Sequence, residues 1–337
     1  MKILITGATG YLGNALLHHL LGLGHQIQVL VREPKSFTFP KNEMLHVVKG
    51  DLRSFQDCMH ALQGCEVLYH LAALINFRPK RYLDVYEVNT FGTSNLLKAS
   101  WQLGLKKIVF CSSTGVYEPQ NGKILNENSP CLFHKKRPYE NSKLWAEREV
   151  ISYARKGLPA VIASPSRIYG PSPGHQGSGL NNFIRKIQSN YIVPIPDFVN
   201  SIGNYTYIQD VVNGLELAMT FGKSGQKYIL GGENIGYDTL MKCLKIHFNA
   251  NVQYLKIPLG LIKTFCPLLD DSFLVKLFPK IPPTYLIERL TQNLAFNCNK
   301  AKDELGYEIV PFDEGIKQSV AHYRAFHVPN IYLKTHL

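Results

Sequence analysis

Tyr139 and Lys143 stand four residues apart in "PYENSK", a pair suited to proton transfer in this 337-residue chain. On a helix that spacing sets both side chains on one face. A phenol titrates near ~10 and is a poor base at neutral pH, but a neighbouring ammonium stabilises the phenolate and lowers that value. Tyr139 would then exchange a proton with a substrate hydroxyl or carbonyl. The same spacing arises by chance on many exposed helices, so the pair gains meaning only in company. "FCSSTGVY", residues 110–117, supplies it. Ser112, Ser113 and Thr114 end an apolar run that reads as a strand, where their hydroxyls would open into a cleft and one would polarise a substrate oxygen. Turn capping is the ordinary role for the other two.

A second chemical feature opens the chain. "ITGATGYLG" puts Gly7, Gly10 and Gly13 between an apolar strand, "KILIT", and an apolar helical stretch over 11–23. In that setting Gly7 makes the turn, Gly10 lets a pyrophosphate approach the backbone, and Gly13 lets the helix pack close to the strands. The helix N-terminus then offers unbonded N–H groups to phosphates. The spacing is GxxGxxG rather than GxGxxG. After the second strand, "VLVREP" presents Arg32 where an acid would hold the ribose hydroxyls of NAD; an arginine pairs with a 2′-phosphate instead, which favours NADP(H) over NAD. Asp51 in "GDLRS" stands at the height of an adenine amino group, and capping the next helix is an equally good role for it.

The elements that must position these groups are legible as apolar runs: "KILIT" (2–6), "IQVLV" (27–31), "LHVV" (45–48), "EVLYHL" (66–71), "KIVFCS" (107–112) and "AVIAS" (160–164). Runs apolar on successive residues, alternating with helical patterns, predict a doubly wound parallel sheet of the α/β class, a Rossmann fold. A long helix is expected over 81–103, ending at Gly104. Residues 1–164 form the nucleotide-binding domain, with 201–230 returning to it, and 165–200 plus 231–330 form a smaller substrate-binding lobe. The apolar segment 256–283 reads as the core of that lobe, with a pocket wall or a membrane-surface patch as alternatives.

Composition narrows the classes further. Seven cysteines lack any CxxC pair, and twelve histidines show no HExxH or other ligand spacing, so reduced thiols and no metal site are expected. A net charge of +12 favours anionic partners, yet the basic residues are scattered and the densest run is "HKKRP" at 134–138. That argues against nucleic acid. No apolar run reaches the ~18 to 20 residues of a membrane span, and a cytoplasmic location is expected.

Taken together, the motifs resemble the extended short-chain dehydrogenase/reductase family, the NAD-dependent epimerase/dehydratase group. The likeness is carried by TGATGYLG, GDLR, "HLAA" (70–73), "VNTFGTSNLL" (88–97), the SST cluster, YENSK, "YGP" (169–171), "YTYIQDVV" (205–212) and "NKAKDELGY" (299–307), in the family's order. It implies Ser113, Tyr139 and Lys143 as the catalytic set, the lysine also holding the nicotinamide ribose. It implies a cofactor site of Gly7, Thr9, Gly10, Tyr11, Leu12, Gly13, Arg32, Asp51, Leu52, Leu71, Ala72, Ala73, Asn89, Ser112, Tyr139, Lys143 and Pro165. Substrate would meet Thr114, Arg167 and Asn182. A homodimer built on the helices near 81–103 and 138–155 is a further implication.

The chain departs from nucleotide-sugar members at "SPSRIYGP", where Ser164 and Arg167 replace an arginine and an asparagine, and at "GNYTYIQD", which lacks another arginine. With Arg32 these departures resemble the branch of dihydroflavonol reductase-like and 3β-hydroxysteroid dehydrogenase-like proteins. The expected activity is an NADP(H)-dependent reduction or oxidation of a small carbonyl/alcohol substrate. A nucleotide-sugar epimerase or dehydratase with tightly bound NAD is the alternative, and a cofactor-sensing protein without turnover is the alternative of another class.

Overall fold

The computed structural model describes residues 1–75, 82–120, 122–134, 137–172, 179–189, 192–197, 201–248, 253–271 and 283–325. In chain order these form β1 (Lys2–Thr6), α1 (Tyr11–Gly22), β2 (Gln26–Val31), β3 (Leu45–Lys49), α2 (Phe55–Leu62), β4 (Val67–His70), α3 (Tyr82–Tyr86), α4 (Gly92–Leu103), β5 (Lys107–Cys111), α5 (Pro138–Arg155), β6 (Ala160–Pro165) and β7 (Arg167–Tyr169). There follow α6 (Leu180–Ser189), β8 (Ile192–Asp197), β9 (Ile202–Tyr207), α7 (Ile208–Phe221), β10 (Lys227–Leu230), β11 (Glu233–Gly236), α8 (Tyr237–His247), β12 (Gln253–Pro258), α9 (Leu259–Asp271), α10 (Pro283–Thr291), α11 (Asn299–Leu305) and α12 (Phe312–Ala325).

All six apolar runs become strands of one seven-stranded sheet, ordered β10-β6-β5-β4-β1-β2-β3 with every neighbouring pair parallel. The runs are apolar on successive residues because both faces are covered. Ile3, Ile5, Val29 and Val31 pack with Leu16, Leu17 and Leu20 of α1 and Val211 and Leu215 of α7. On the opposite face Leu4, Leu30, Val48 and Leu68 meet Ala61 and Leu62 of α2, Leu96 and Leu97 of α4, and Val150 of α5. Each such aliphatic side chain contributes roughly 1.5–3 kcal/mol by leaving water. Placing β2 and β3 on one side of β1 and β4 on the other reverses the direction of winding between β1 and β4. The crevice at the carboxyl ends of those two strands is where open α/β sheets take ligands.

Around this sheet the local details differ from expectation in three places. The helix expected over 81–103 is broken: α3 and α4 are joined by a π-helical turn, Glu87–Phe91, and α4 closes on Gly104 at φ +65°. Such turns inside helices are frequent at functional sites. Second, residues 201–230 divide between two sheets. Strand β9 lies between β11 and β7 in a three-stranded sheet, whereas α7 packs on the large sheet and β10 extends it beside β6. Third, the segment 256–283 is not simply lobe core. Leu261 and Phe265 on α9 are 52% and 55% exposed, because the aromatic core of Tyr169, Tyr205, Tyr207, Leu240, Leu244, Phe312 and Ile316 is completed without them. Residues 272–282 of that segment lie outside the described residues. Among the described residues no helix is long and apolar enough to cross a membrane.

Candidate active site

Strand β1 runs directly into the glycine turn. Gly7 sits at φ +79°, a left-handed conformation that side chains disfavour, and an ideal Cβ on it would lie 2.6 Å from the Ala72 nitrogen. A Cβ on Gly13 would lie 2.1 Å from the Gly7 carbonyl oxygen. Gly10 is different: it is exposed, and its one near neighbour is that same oxygen at 3.2 Å. The first and third glycines therefore close the turn, while the second leaves room in front of it. Gly10 caps α1 with no side-chain bond, and the first turn holds no acidic residue. A pyrophosphate fits this cradle, where a helix N-terminus supplies N–H donors and partial positive charge. Thr9 is half-buried, and Leu12 leans on the sheet core. Tyr11 is turned to other work: its hydroxyl donates to the Gly170 carbonyl (2.5 Å) and accepts from Asn181 Nδ2 (2.9 Å), while Ser172 Oγ donates to the Tyr11 carbonyl (2.9 Å).

At the far end of the crevice Arg32 lies exposed just beyond β2. Asp51 does not cap α2; Ser54 does, its Oγ accepting from the Asp57 N–H at 3.2 Å. A cap must sit next to the first turn, and Asp51 is three residues too early. Its carboxylate instead accepts from the Arg53 backbone (2.9 Å) and guanidinium (2.7 Å), which holds its pKa below the usual carboxylate value. Asp51, Arg53, Ser54, Glu87 and Phe91 line an open groove of about 540 Å³, with Leu52 buried nearby. Arg53 was not singled out from sequence, although its place two residues after Asp51 in GDLR is the signal.

Leu71, Ala72 and Ala73 follow β4 on the other bank. Behind them runs a buried chain of hydrogen bonds. Ala72 N–H donates to Thr6 Oγ1 (3.3 Å), Thr6 Oγ1 meets His70 Nδ1 (2.7 Å), His70 Nε2 meets Thr93 Oγ1 (2.8 Å), and Thr93 donates to the Asn89 carbonyl (2.6 Å). Since each hydroxyl has one proton, the chain assigns hydrogen to Nε2 of a neutral imidazole; burial pushes the His70 pKa down to about 3. Asn89 is corrected from a cofactor contact to a brace. Its Oδ1 accepts from the Leu74 N–H (2.7 Å), and its Nδ2 donates to the Leu74 carbonyl (3.1 Å) and Ser142 Oγ (2.9 Å), leaving it no donor for a ligand. The π-helical turn is what carries Asn89 to that place.

The hydroxyl cluster also sorts itself. Ser112 continues the ladder of β5, its N–H donating to the Ala163 carbonyl (2.7 Å), and alternation along an extended chain turns its side chain inward. There Oγ donates to Glu147 Oε1 at 2.5 Å, and Lys227 meets Oε2 at 2.5 Å. Ser112 is thereby removed from the cleft. Ser113, half-buried, caps a short 3-10 turn, its Oγ accepting from the Gly115 N–H (3.0 Å) and keeping its own proton to donate. Thr114 is buried within that turn. Tyr139 and Lys143 lie on the first turns of α5, the tyrosine half-buried and the lysine buried with Nζ 4.5 Å from the Phe110 ring centre. The expected lowering of the tyrosine pKa is corrected: burial, then Cys111 and Glu140, raise it above that of a free phenol. Burial pushes Lys143 down to about 8, opposed by Cys111 and Glu147. Burial thus works against ionisation of the phenol and against protonation of the lysine. Pro165 ends β6 and is buried.

Of the substrate residues, Asn182 is exposed and accepts from Arg185 Nη2 (2.5 Å), whereas its neighbour Asn181 is buried between Gly170 and Tyr11. Arg167 is occupied, Nη1 donating to Tyr205 Oη (3.1 Å) and Nη2 to the Arg289 carbonyl (2.6 Å). The guanidinium of Arg289 approaches Ser113: an ideal Cβ on Gly115 would lie 3.2 Å from Ser113 Oγ and 3.9 Å from Arg289 Nη2, so both border the same spot. Nothing in the local sequence flags Arg289, which comes from α10, far along the chain from Ser113. Away from the cleft, Cys243, His247 and Asp313 gather in a way the sequence did not suggest, the thiol donating to Asp313 Oδ1 (3.4 Å) and His247 Nε2 meeting it at 2.8 Å.

Comparison with known proteins agrees with this architecture. The family model for the NAD dependent epimerase/dehydratase family matches residues 3–231. A putative dihydroflavonol 4-reductase from Synechocystis is 30% identical, over 98% of this chain and 96% of its own length. A 3beta-hydroxysteroid-dehydrogenase/decarboxylase isoform 1 from Arabidopsis thaliana is 29% identical, over 84% of this chain and 68% of its own. In fold, the UDP-glucose 4-epimerase of Thermotoga maritima superposes with a TM-score of 0.79 at 21% identity, over 97% of this chain and 99% of that one. With a glycine cradle at the sheet's switch point and a family match across the whole nucleotide-binding sheet, this chain belongs to the NAD-dependent epimerase/dehydratase family and is an NAD(P)-dependent oxidoreductase.

Proposed function

We propose that the chain is a reductase/dehydrogenase interconverting a carbonyl and an alcohol on a small, partly apolar molecule, with NADP(H) favoured over NAD. One observation carries this reading: Ser113 and the Tyr139/Lys143 pair stand at the carboxyl end of β5 and the start of α5, beside the switch point that holds the glycine cradle. A bound nicotinamide supplies or accepts the hydride. Ser113, its lone pair engaged by Gly115, keeps its proton and donates a hydrogen bond with it to the substrate oxygen, which fixes that oxygen in place. Tyr139 holds its proton tightly, so it acts as the general acid when the carbonyl is reduced. Lys143 loses part of its charge near pH 8, and its ammonium form steadies the phenolate left behind. Asn89, braced on Leu74 and Ser142, keeps α5 and the loop after β4 in register.

Arg32 supports the preference for a 2′-phosphate, since an exposed guanidinium at that position attracts what an acid would repel. A homodimer through α4 and α5 is also proposed; these helices pack side by side and expose Trp101 and Trp145. Fluorescence titration tests the cofactor: NADPH is expected to bind at least tenfold tighter than NADH, with R32A removing most of the difference. Equal affinities in the parent protein overturn the preference. Against a panel of aromatic and alicyclic ketones, Y139F is expected to abolish turnover while NADPH binding persists. Undiminished turnover in Y139F overturns the acid role.

A further inference from the structure

Three guanidinium groups converge beside Ser113 and the start of α5. Arg137, whose side chain is 7% exposed, pairs through Nη2 with Glu288. Arg167 holds α10 by donating to the Arg289 carbonyl, and it lies against the Tyr205 ring. Arg289 sends its own guanidinium back over Gly115, toward Ser113 Oγ and the Glu140 side chain. Two carboxylates face these three cations. Glu288 is engaged by Arg137, and Glu140 accepts from the Tyr285 hydroxyl at 2.5 Å through Oε1.

Among the described residues, Arg289 Nη1 is buried and has no hydrogen-bond partner, and Glu140 Oε2 and Arg137 Nε share that condition. Burial draws the Arg289 pKa below that of a free guanidinium, yet arginine stays charged at any working pH. A buried guanidinium with an unused donor is costly until an anion meets it. The local count leaves one positive charge over, which suits a monoanion better than a dianion. Planar guanidinium also matches carboxylate geometry.

We propose that Arg289 is the specificity-determining residue for a carboxylate carried by the substrate close to its reacting carbon, so that the enzyme takes a hydroxy acid or the matching keto acid. This rests on the oxidoreductase reading above. The distances to Gly115 leave Ser113 Oγ and Arg289 Nη2 at most about 7 Å apart. Two hydrogen bonds of ~2.8 Å each fill most of that span. The hydroxyl and carboxylate therefore belong on carbons of one short unit, as in a 2- or 3-hydroxy acid. The carboxylate is an anchor during the redox step, in which hydride and proton leave the carbinol as before. A 2-keto acid product keeps its carboxylate, whereas a 3-keto acid goes on to lose CO2, the electron pair of the broken C–C bond passing into an enol.

Calorimetry on the protein saturated with NADP⁺ tests the proposal, using 2-hydroxycyclohexane-1-carboxylate, its methyl ester and cyclohexyl phosphate. The acid is expected to bind at least tenfold tighter than either other probe. R289Q is expected to narrow the acid-to-ester ratio to within threefold, and R289K to restore part of it, with melting curves confirming that both fold. An acid that binds no tighter than its ester, a ratio that survives in R289Q, or no binding of any probe overturns the proposal. A phosphate that binds tightest assigns the site to a dianion and overturns it equally. If R289Q does not fold, the comparison of acid with ester in the parent protein decides alone. Titration with NADP⁺ comes first, so failure of the cofactor reading is seen separately from failure of the anion site.

Discussion

Substituting Lys227 by Met would open the buried network that joins the end of β5 to α5 and β10. Lys227 begins β10, Glu147 lies midway along α5, and Ser112 follows directly on β5, with both contacts to the carboxylate at 2.5 Å. The Glu147 side chain is 3% exposed and that of Lys227 14%. Removing the cation leaves a carboxylate almost out of water with one hydroxyl donor. Breaking such a pair costs about 3–5 kcal/mol. Since the lysine end lies near the sheet edge and admits some water, the lower end, about 3 kcal/mol, is expected. E147L alone strands a lysine that can reach solvent along its flexible stem, at about 2 kcal/mol. In K227M/E147L only the Ser112 hydroxyl loses its partner, so the double variant is expected to fall about 1 kcal/mol below the parent. The cycle then gives a coupling of about 4 kcal/mol, well outside the additivity of independent sites. Urea unfolding followed by circular dichroism measures all four proteins. A loss under about 1 kcal/mol in K227M, or a double variant as unstable as the sum of the singles, refutes the reasoning.

Two further outcomes follow from the cleft itself. G13A must displace the Gly7 backbone by about an ångström and is expected to cost roughly 3 kcal/mol of stability, whereas G10A, with a single contact at 3.2 Å, should keep its stability and lose NADPH affinity; denaturation and titration side by side separate the two. Lys143, held near 8 by burial against an ordinary value near 10.5, is protonated more readily in the unfolded chain. Stability is therefore expected to rise as pH goes from about 8 to about 10.5; the difference between parent and K143M unfolding across that window should show the rise, and a flat difference would contradict it.

The parallel sheet was readable because strands covered on both faces leave short contiguous apolar runs rich in Val, Ile and Leu, and these recur in alternation with helical patterns. The glycine turn was readable because its neighbours in sequence are also its neighbours in space. Where sequence reasoning failed, the cause was distance or direction. Ser112 and Ser113 look equivalent as letters, but alternation along β5 gives one to the interior and the other to the cleft. Asn89 carries the right residue type for a ligand contact, and only the π-helical turn shows that its amide is spent on Leu74 and Ser142. Arg289 could not be found at all, because nothing near it in the chain announces that α10 folds back over Gly115. The tyrosine pKa was misjudged for a related reason: a charge four residues away is visible in sequence, and the dryness of the pocket is not.

Tyr11 has a consequence for how this molecule can diversify. It opens the helix that faces the phosphates, yet its hydroxyl and carbonyl are both fastened to the segment Gly170–Ser172, with Asn181 as the third point of attachment. The segment that follows β7 is thus pinned to the glycine turn. Sliding that segment sideways would break all three bonds together, so the path of the chain after β7 and the shape of the turn before α1 must change in concert or not at all.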